Sequence, residues 1–456
     1  MSRGGRSPSA MLLALVGVVV LGVAGSMSSI VQLSAVVTAL VMGGNTNPDP
    51  STEYVDSQID NYYDASFTGV RRGIHTPEEF WPNNGTLTFD QSTAEGVDDL
   101  EHEMDTTDGE LVIVGYSAST RIASAEKDKL IAEGDYSRDI TFVLISDVNK
   151  GNGGILARFG GWAIPILGVT FDGATRTDSE NGQFETKSIT FVHDGWSDFP
   201  IYPANVLADA NAVAGIALLH GTYPNLDNPT LTPVGSTGDT DYYVIETDIV
   251  PLLMPLESAG VPRAVLLVVD EPTRVLIETA YRRDIDPGAP TPAYLIPVIN
   301  PVSVATNFAA SIPVGIDDGL EASDLGRPLG TQPSGPFGVG GEDEDLEGLP
   351  AGFIPLGNPA ASTADPPVTS TLAETQDEPE AKTLDEPPVE DKPAVKPKPL
   401  RPKVRNPISM GVPKLPKLPK LPKPGDRPLK RLVDGLTEQN DKPEAGDTES
   451  APADSA

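Results

Sequence analysis

The stretch Leu111-Val112-Ile113-Val114-Gly115-Tyr116-Ser117-Ala118-Ser119 reads as an apolar strand, a G-x-S-x-S turn and the start of a helix. In a nucleophile elbow the serine occupies a strained strand-to-helix turn, and the residues two before and two after it must be small. Gly115 meets that demand fully, and Ser119 stands where glycine is more usual. The same serine could serve as an ordinary helix N-cap. As a nucleophile it needs a base, usually a histidine oriented by a carboxylate. The chain has 4 histidines, His75, His102, His193 and His220. In the chain order serine, acid, histidine, the first two precede the elbow and drop out. His220, in Leu219-His220-Gly221-Thr222-Tyr223 at a loop entry, is the candidate base, and a histidine facing a helix dipole is the alternative.

The run from Phe191 to Pro200, FVHDGWSDFP, puts acids just past the carboxyl end of a strand, where a triad acid belongs. Asp198, in Gly-x-x-Asp spacing, is the chosen acid and Asp194 the alternative; turn chemistry alone would also account for both. An oxyanion needs two preorganised N–H donors. Ala118, directly after the serine, supplies one, and the loop Gly43-Gly44-Asn45 can supply the other. Neither a Walker lysine nor the full dinucleotide glycine spacing follows that loop, so a phosphate cradle is disfavoured. Between elbow and acid, Trp162, Ile164, Ile166, Leu167 and Phe171 lie in one apolar segment. Exposed, it would accept acyl chains or lie on a lipid surface; buried, it would be the core side of a β-hairpin. No cofactor motif is present, and the histidines are too few and scattered for a catalytic zinc site, so neither cofactor nor metal is expected.

The elements around these residues alternate. Ile30 to Met42 suits a buried strand running into Gly43-Gly44, and Glu110 to Val114, Thr141 to Ile145 and Ile189 to Val192 are further short apolar runs. Their continuous hydrophobicity suggests strands covered on both faces. Helical patterns lie at Ser92 to Met104, Ala118 to Ala132 and Ala204 to Leu219. The expected class is therefore α/β, with a mainly parallel sheet between helical layers.

At the N-terminus Arg3 and Arg6 precede the uncharged run Met11 to Gly25, the pattern of a secretory signal or membrane anchor over residues 1–28. That places the remainder outside the cytoplasm. The expected catalytic domain is 29–318. Residues 319–456 turn acidic and then basic, with proline at every third position from Pro413 to Pro422, and this tail is expected to be disordered. Its basic strip reads as a spacer or as a contact to anionic lipid or wall polymer. The 456 residues carry 66 acidic against 32 basic side chains, a net charge of -34 that opposes nucleic-acid binding. With no cysteine, disulfides, thiolate nucleophiles and thiolate metal sites are all excluded.

Taken together, ALVMGGNTNPDP near Ala39, LTFDQS at Leu87, VGYSAS at Val114, GWAIPILGVTFDGAT at Gly161, VHDGWSDFPIYPANVLADANAVAGI at Val192 and LHGTYP at Leu219 resemble the PE-PPE-domain serine hydrolases of mycobacteria and related actinobacteria. The likeness runs from about Ala39 to Pro251. It implies a cutinase-like α/β-hydrolase fold and a triad of Ser117, an aspartate of the HDGWSDFP block, and His220. No PE or PPE module precedes the domain; an export segment stands in its place, as in the membrane-bound cutinase-like acyltransferases that assemble acylated trehaloses. Cutinases proper carry disulfides that this chain cannot form. The expected function is acyl transfer on long-chain esters of envelope glycolipids through an acyl-serine. The alternatives are a lipid esterase using water and a noncatalytic lipid-binding envelope protein. Expected partners are an acylated lipid or glycolipid and a membrane or wall surface.

Overall fold

A computed structural model describes residues 36–342 and 344–363. The export segment, the start of the apolar run at Ile30 and the Pro/Lys-rich stretch lie outside the described residues. The first strand is β1 (Thr38–Val41), followed by α1 (Thr52–Tyr62) and β2 (Val70–Gly73). Next come α2 (Phe89–Asp105), β3 (Leu111–Tyr116), α3 (Ala118–Glu133) and β4 (Ile140–Ile145). The short α4 (Ile155–Arg158) and a small hairpin of β5 (Ala163–Ile164) and β6 (Val169–Thr170) precede β7 (Thr186–Phe191) and α5 (Val206–Leu218). A second hairpin, β8 (Thr232–Thr237) and β9 (Thr240–Ile245), is followed by α6 (Met254–Ser258), α7 (Arg263–Glu278), β10 (Tyr294–Pro297), α8 (Pro301–Glu321) and β11 (Gly352–Pro355). No helix among the described residues is long and apolar enough to cross a membrane.

Seven strands form one sheet in the order β2-β1-β3-β4-β7-β9-β8. All neighbours are parallel except the edge pair β8 and β9. The protein is thus α/β with a mainly parallel sheet, as the alternation of apolar runs and helical patterns requires. Alternate strand residues serve opposite layers. Ala39, Val41, Val112, Val114, Val143 and Ile145 pack with Val55, Ile59 and Tyr62 of α1. Leu40, Met42, Ile113, Phe142 and Leu144 pack with Leu100 and Met104 of α2 and Ile122, Ala123 and Leu130 of α3. Both faces are therefore dry, which is why the strands read as continuous rather than alternating.

Helix α2 starts three residues before the expected Ser92, at Phe89, because Thr88 and Gln91 form a capping box. The Gln91 amide donates to Thr88 Oγ1, and the Thr88 amide donates to Gln91 Oε1. From β1 the chain runs outward to β2 and then returns to the other side of β1 to form β3. This reversal places the loops after β1 and β3 side by side, at the position where open α/β sheets hold their ligands.

The expected boundary at 318 falls inside α8. Beyond that helix the chain packs back on the domain. The Asp317 carboxylate accepts from the Leu329 and Thr331 amides (2.9 Å each), Phe337 is buried, and β11 pairs antiparallel with β10. Arg282, itself buried, donates to the carbonyls of Leu346 and Pro350. Truncation after residue 319 is therefore expected to destabilise the domain. Re-exposing Phe337 costs about 2 kcal/mol and each orphaned buried polar group about 1–3 kcal/mol. At about 2–4 °C per kcal/mol, the melting temperature falls by roughly 10 °C. Truncation after residue 363 leaves these contacts in place, and a thermal melt of the two truncated chains separates the boundaries.

Candidate active site

Ser117 occupies the turn between β3 and α3 with φ 57 and ψ −116, a conformation that non-glycine residues seldom adopt. Neighbouring residues impose it. The Ser117 amide donates to the Ile145 carbonyl on β4 (3.0 Å), and the Ser117 carbonyl accepts from the Thr120 amide and hydroxyl (3.0 and 2.6 Å). Gly115 is required because a Cβ there would lie 2.7 Å from the Ser119 carbonyl oxygen. Ser119, in the position where glycine is usual, bonds back to the elbow: its Oγ accepts from the Tyr116 amide (2.9 Å) and donates to the Tyr116 carbonyl (3.1 Å). The Ser117 side chain makes no capping hydrogen bond. Its Oγ instead lies 2.7 Å from Nε2 of His220.

His220 opens a short 3-10 turn, His220–Asn225, directly after α5. The Tyr116 ring stacks on the imidazole with centroids 5.4 Å apart, and the Tyr116 hydroxyl donates to the His220 carbonyl. On the far side of the ring, Nδ1 lies 2.9 Å from Oδ2 of Asp194. An acceptor-only carboxylate fixes the proton on Nδ1 and leaves Nε2 free to accept from the serine hydroxyl.

Asp194 is fully buried. Its Oδ2 accepts from Ser146 Oγ (2.6 Å), Tyr223 Oη (3.1 Å) and Ser197 Oγ (3.4 Å), and its Oδ1 accepts from the Trp196 amide (3.2 Å). These donors fix the orientation of the carboxylate. Ser146 Oγ also approaches His220 Nδ1 at 3.2 Å.

The chosen acid, Asp198, does not meet the imidazole. Its two oxygens accept from Arg283 Nη1 and Nη2 (2.7 and 3.0 Å), and its Oδ2 also accepts from the His193 amide (2.8 Å). Burial alone would push this carboxyl up, but Arg283 and then Lys150 outweigh it and hold the group well below the usual carboxylate range. The position next to His220 belongs to the alternative, Asp194. The physical reason is competition: Asp198 is claimed by a guanidinium that the local sequence does not contain.

Of the remaining three histidines, His75 and His102 are on the surface. His75 pairs with Asp49 (2.8 Å), and His102 lies on α2. His193 is buried and lies 2.7 Å from Glu278, as part of the Asp198–Arg283–Glu278 network.

The glycine loop after β1 lies against the elbow. A Cβ on Gly44 would come within 2.8 Å of the Tyr116 ring and 3.2 Å of the Tyr116 carbonyl oxygen. Among the described residues the amides of Gly43, Gly44 and Ala118 donate no hydrogen bond within the chain. Donors left in this way beside a nucleophile suit an oxyanion.

The apolar segment divides. Trp162, Ile164 and Ile166 of the β5–β6 hairpin are exposed, by 52%, 40% and 76%. Leu167 and Phe171 turn inward against Val148, Leu156 and Trp196. Trp196 in turn lies 6.2 Å from the His220 ring, so the hairpin base reaches the site. The supporting residues Ser146, Ser197 and Tyr223 escape sequence reading. The available signal for Ser146 is its place directly after the apolar run Thr141 to Ile145, at the same strand end as the elbow.

The elbow, both aspartates and His220 all fall within the stretch that matches a known family model, the PE-PPE domain, at residues 68–282. The chain is 35% identical over 302 residues to Esterase PE16 of Mycobacterium tuberculosis, covering 62% of this chain and 56% of that protein. It is 29% identical over 258 residues to SL1278 acyltransferase Chp1 of the same organism, covering 53% and 58%. To Diacyltrehalose acyltransferase Chp2, also of that organism, it is 30% identical over 139 residues, covering 26% and 35%. The chain spans little more than half the length of the first two of these relatives. Residues 68–282 of this chain thus match the PE-PPE domain.

Proposed function

We infer that the protein transfers acyl groups from lipid esters through an acyl-Ser117 intermediate. The observation that carries this reading is the hydrogen-bonded series Ser117 Oγ, His220 Nε2, His220 Nδ1 and Asp194 Oδ2, ending on a serine held at positive φ. Ser117 Oγ attacks the ester carbonyl carbon while His220 Nε2 takes the hydroxyl proton, and Asp194 stabilises the imidazolium so formed. The negative oxygen of the tetrahedral intermediate turns toward the amides of Ala118 and of Gly43 or Gly44. As that intermediate collapses, the ester C–O bond breaks and Nε2 returns the proton to the leaving alcohol. An incoming hydroxyl then repeats the steps in reverse, giving its proton to Nε2 and taking the acyl group from Ser117.

Relatives named as an esterase and as acyltransferases support a lipid-ester substrate, and the name of one of them specifies diacyltrehalose. The N-terminal apolar run with its arginine flank supports action outside the cytoplasm, anchored to or secreted into the envelope. No acyl-CoA pool exists there, so a transacylase must conserve the energy of an existing ester. Exposed Trp162, Ile164 and Ile166 would meet the acyl chains. Diacylated trehalose supplied as both donor and acceptor is expected to give a more highly acylated product together with a less acylated one, resolved by mass spectrometry. Free fatty acid with no upward product would overturn transacylation and leave a lipid esterase.

A further inference from the structure

Apart from the triad, a cavity of ≈ 490 Å³ opens beside the edge strand β8 and its neighbour β9. None of Ser117, His220 and Asp194 lines it. One wall is apolar, with Val234, Val244 and Phe337 packed together. Another is cationic, formed by Lys150 and Arg283. Arg283 is fully committed: its guanidinium contacts both oxygens of Asp198 and both of Glu278 at 2.7–3.2 Å.

Lys150 lies beside Asp198 without a direct bond to it. The residue is only 5% exposed, yet its Nζ forms no hydrogen bond or ion pair with the described residues. Burial pulls its pKa down to about 8, so it remains mostly charged at neutral pH. Around it, Arg158 donates to the Phe199 and Thr291 carbonyls and to Asn152 rather than to a carboxylate. Three cations, Lys150, Arg158 and Arg283, thus act on Asp198, and Arg283 also engages Glu278. The third carboxyl in reach, Asp147, accepts from Thr175 and Asn149 and is pushed up by burial to about 6. A buried ammonium that makes no direct hydrogen bond or ion pair with the described residues is costly, and a bound anion beside it would offset that cost.

The remaining lining selects among anions. Asp284 is tied to Arg282, and Glu342 and Glu347 stand exposed at the rim. Such a rim opposes multiply charged groups, and the apolar wall favours a hydrocarbon body. The volume lies within the ordinary range for small-molecule sites. We propose that this cavity binds a small organic carboxylate, with its charged end on Lys150 and its apolar body against Val234, Val244 and Phe337.

Calorimetric titration of the full-length protein with hexanoate, hexanol and inorganic phosphate at pH 7 tests the assignment. Hexanoate is expected to bind saturably, Lys150→Met to weaken it by about tenfold or more, and hexanol and phosphate to bind far more weakly. Should Lys150→Met fail to fold, Val234→Asp keeps the lysine and sets a negative charge in the apolar wall, with the same loss expected. Both variants should retain ester hydrolysis, since neither residue touches the triad. Hexanoate bound equally well by the variants, phosphate bound as tightly as hexanoate, or no saturable hexanoate binding would each overturn the proposal.

Discussion

Ser117→Ala is expected to lower turnover of a p-nitrophenyl acyl ester by roughly 10⁴- to 10⁶-fold, the range seen when a triad nucleophile is removed. The mechanism admits no substitute. Ser119 Oγ is engaged with the Tyr116 backbone, and Ser146 Oγ is directed at Asp194. Folding should survive, because the change deletes one hydroxyl and one hydrogen bond, about 1 kcal/mol. The strained φ is set by the backbone bonds around position 117, and those remain. A variant that keeps most of the wild-type rate with an unchanged melting temperature would remove Ser117 as the nucleophile.

The second large effect separates the two aspartates by kind of damage. Asp194→Asn should reduce turnover about 10³- to 10⁴-fold, because an amide at that site can present N–H to Nδ1 and shift the imidazole proton to Nε2, where it blocks acceptance from Ser117. Asp198→Asn should act on stability. It breaks a buried bidentate pair and leaves Arg283 with one carboxylate partner, a change worth about 3–5 kcal/mol. Turnover measured below the melting temperature, set beside thermal melts, resolves the pair. Large loss of turnover in folded Asp198→Asn with little in Asp194→Asn would return the acid role to Asp198.

The central strands β1, β3, β4 and β7 were legible because each is covered on both faces: β3 and β4 each give six consecutive residues with no charge and almost no exposure. The exposed edge strands β2 and β8 were not. The elbow was legible because its constraint is local. A turn that forces positive φ on a serine and brings its backbone against residue 115 must have glycine at 115. Less legible were the segments held by distant partners. The stretch after α8 looks tail-like in composition, yet Phe337, Asp317 and β11 bind it to the domain through contacts that composition does not register.

His220 and the block containing the aspartate that meets it could be named from one dimension, since chain order excludes the earlier histidines and both candidate acids follow a strand end. Which aspartate faces the imidazole could not. Both lie within five residues and both are buried. The outcome turns on Arg283, 85 residues later in the chain, which returns to pair with Asp198, and on Ser146 and Tyr223, which converge on Asp194 from β4 and from the turn after α5. Sequence alone therefore determined the α/β sheet, the strained turn at Ser117 and the choice of His220 as the histidine that meets it, because near-neighbour sterics, burial and chain order encode them. The tertiary structure decided which aspartate faces His220, how the apolar hairpin divides and that Lys150 has no direct partner among the described residues, because each depends on which distant charge or ring reaches a buried group first.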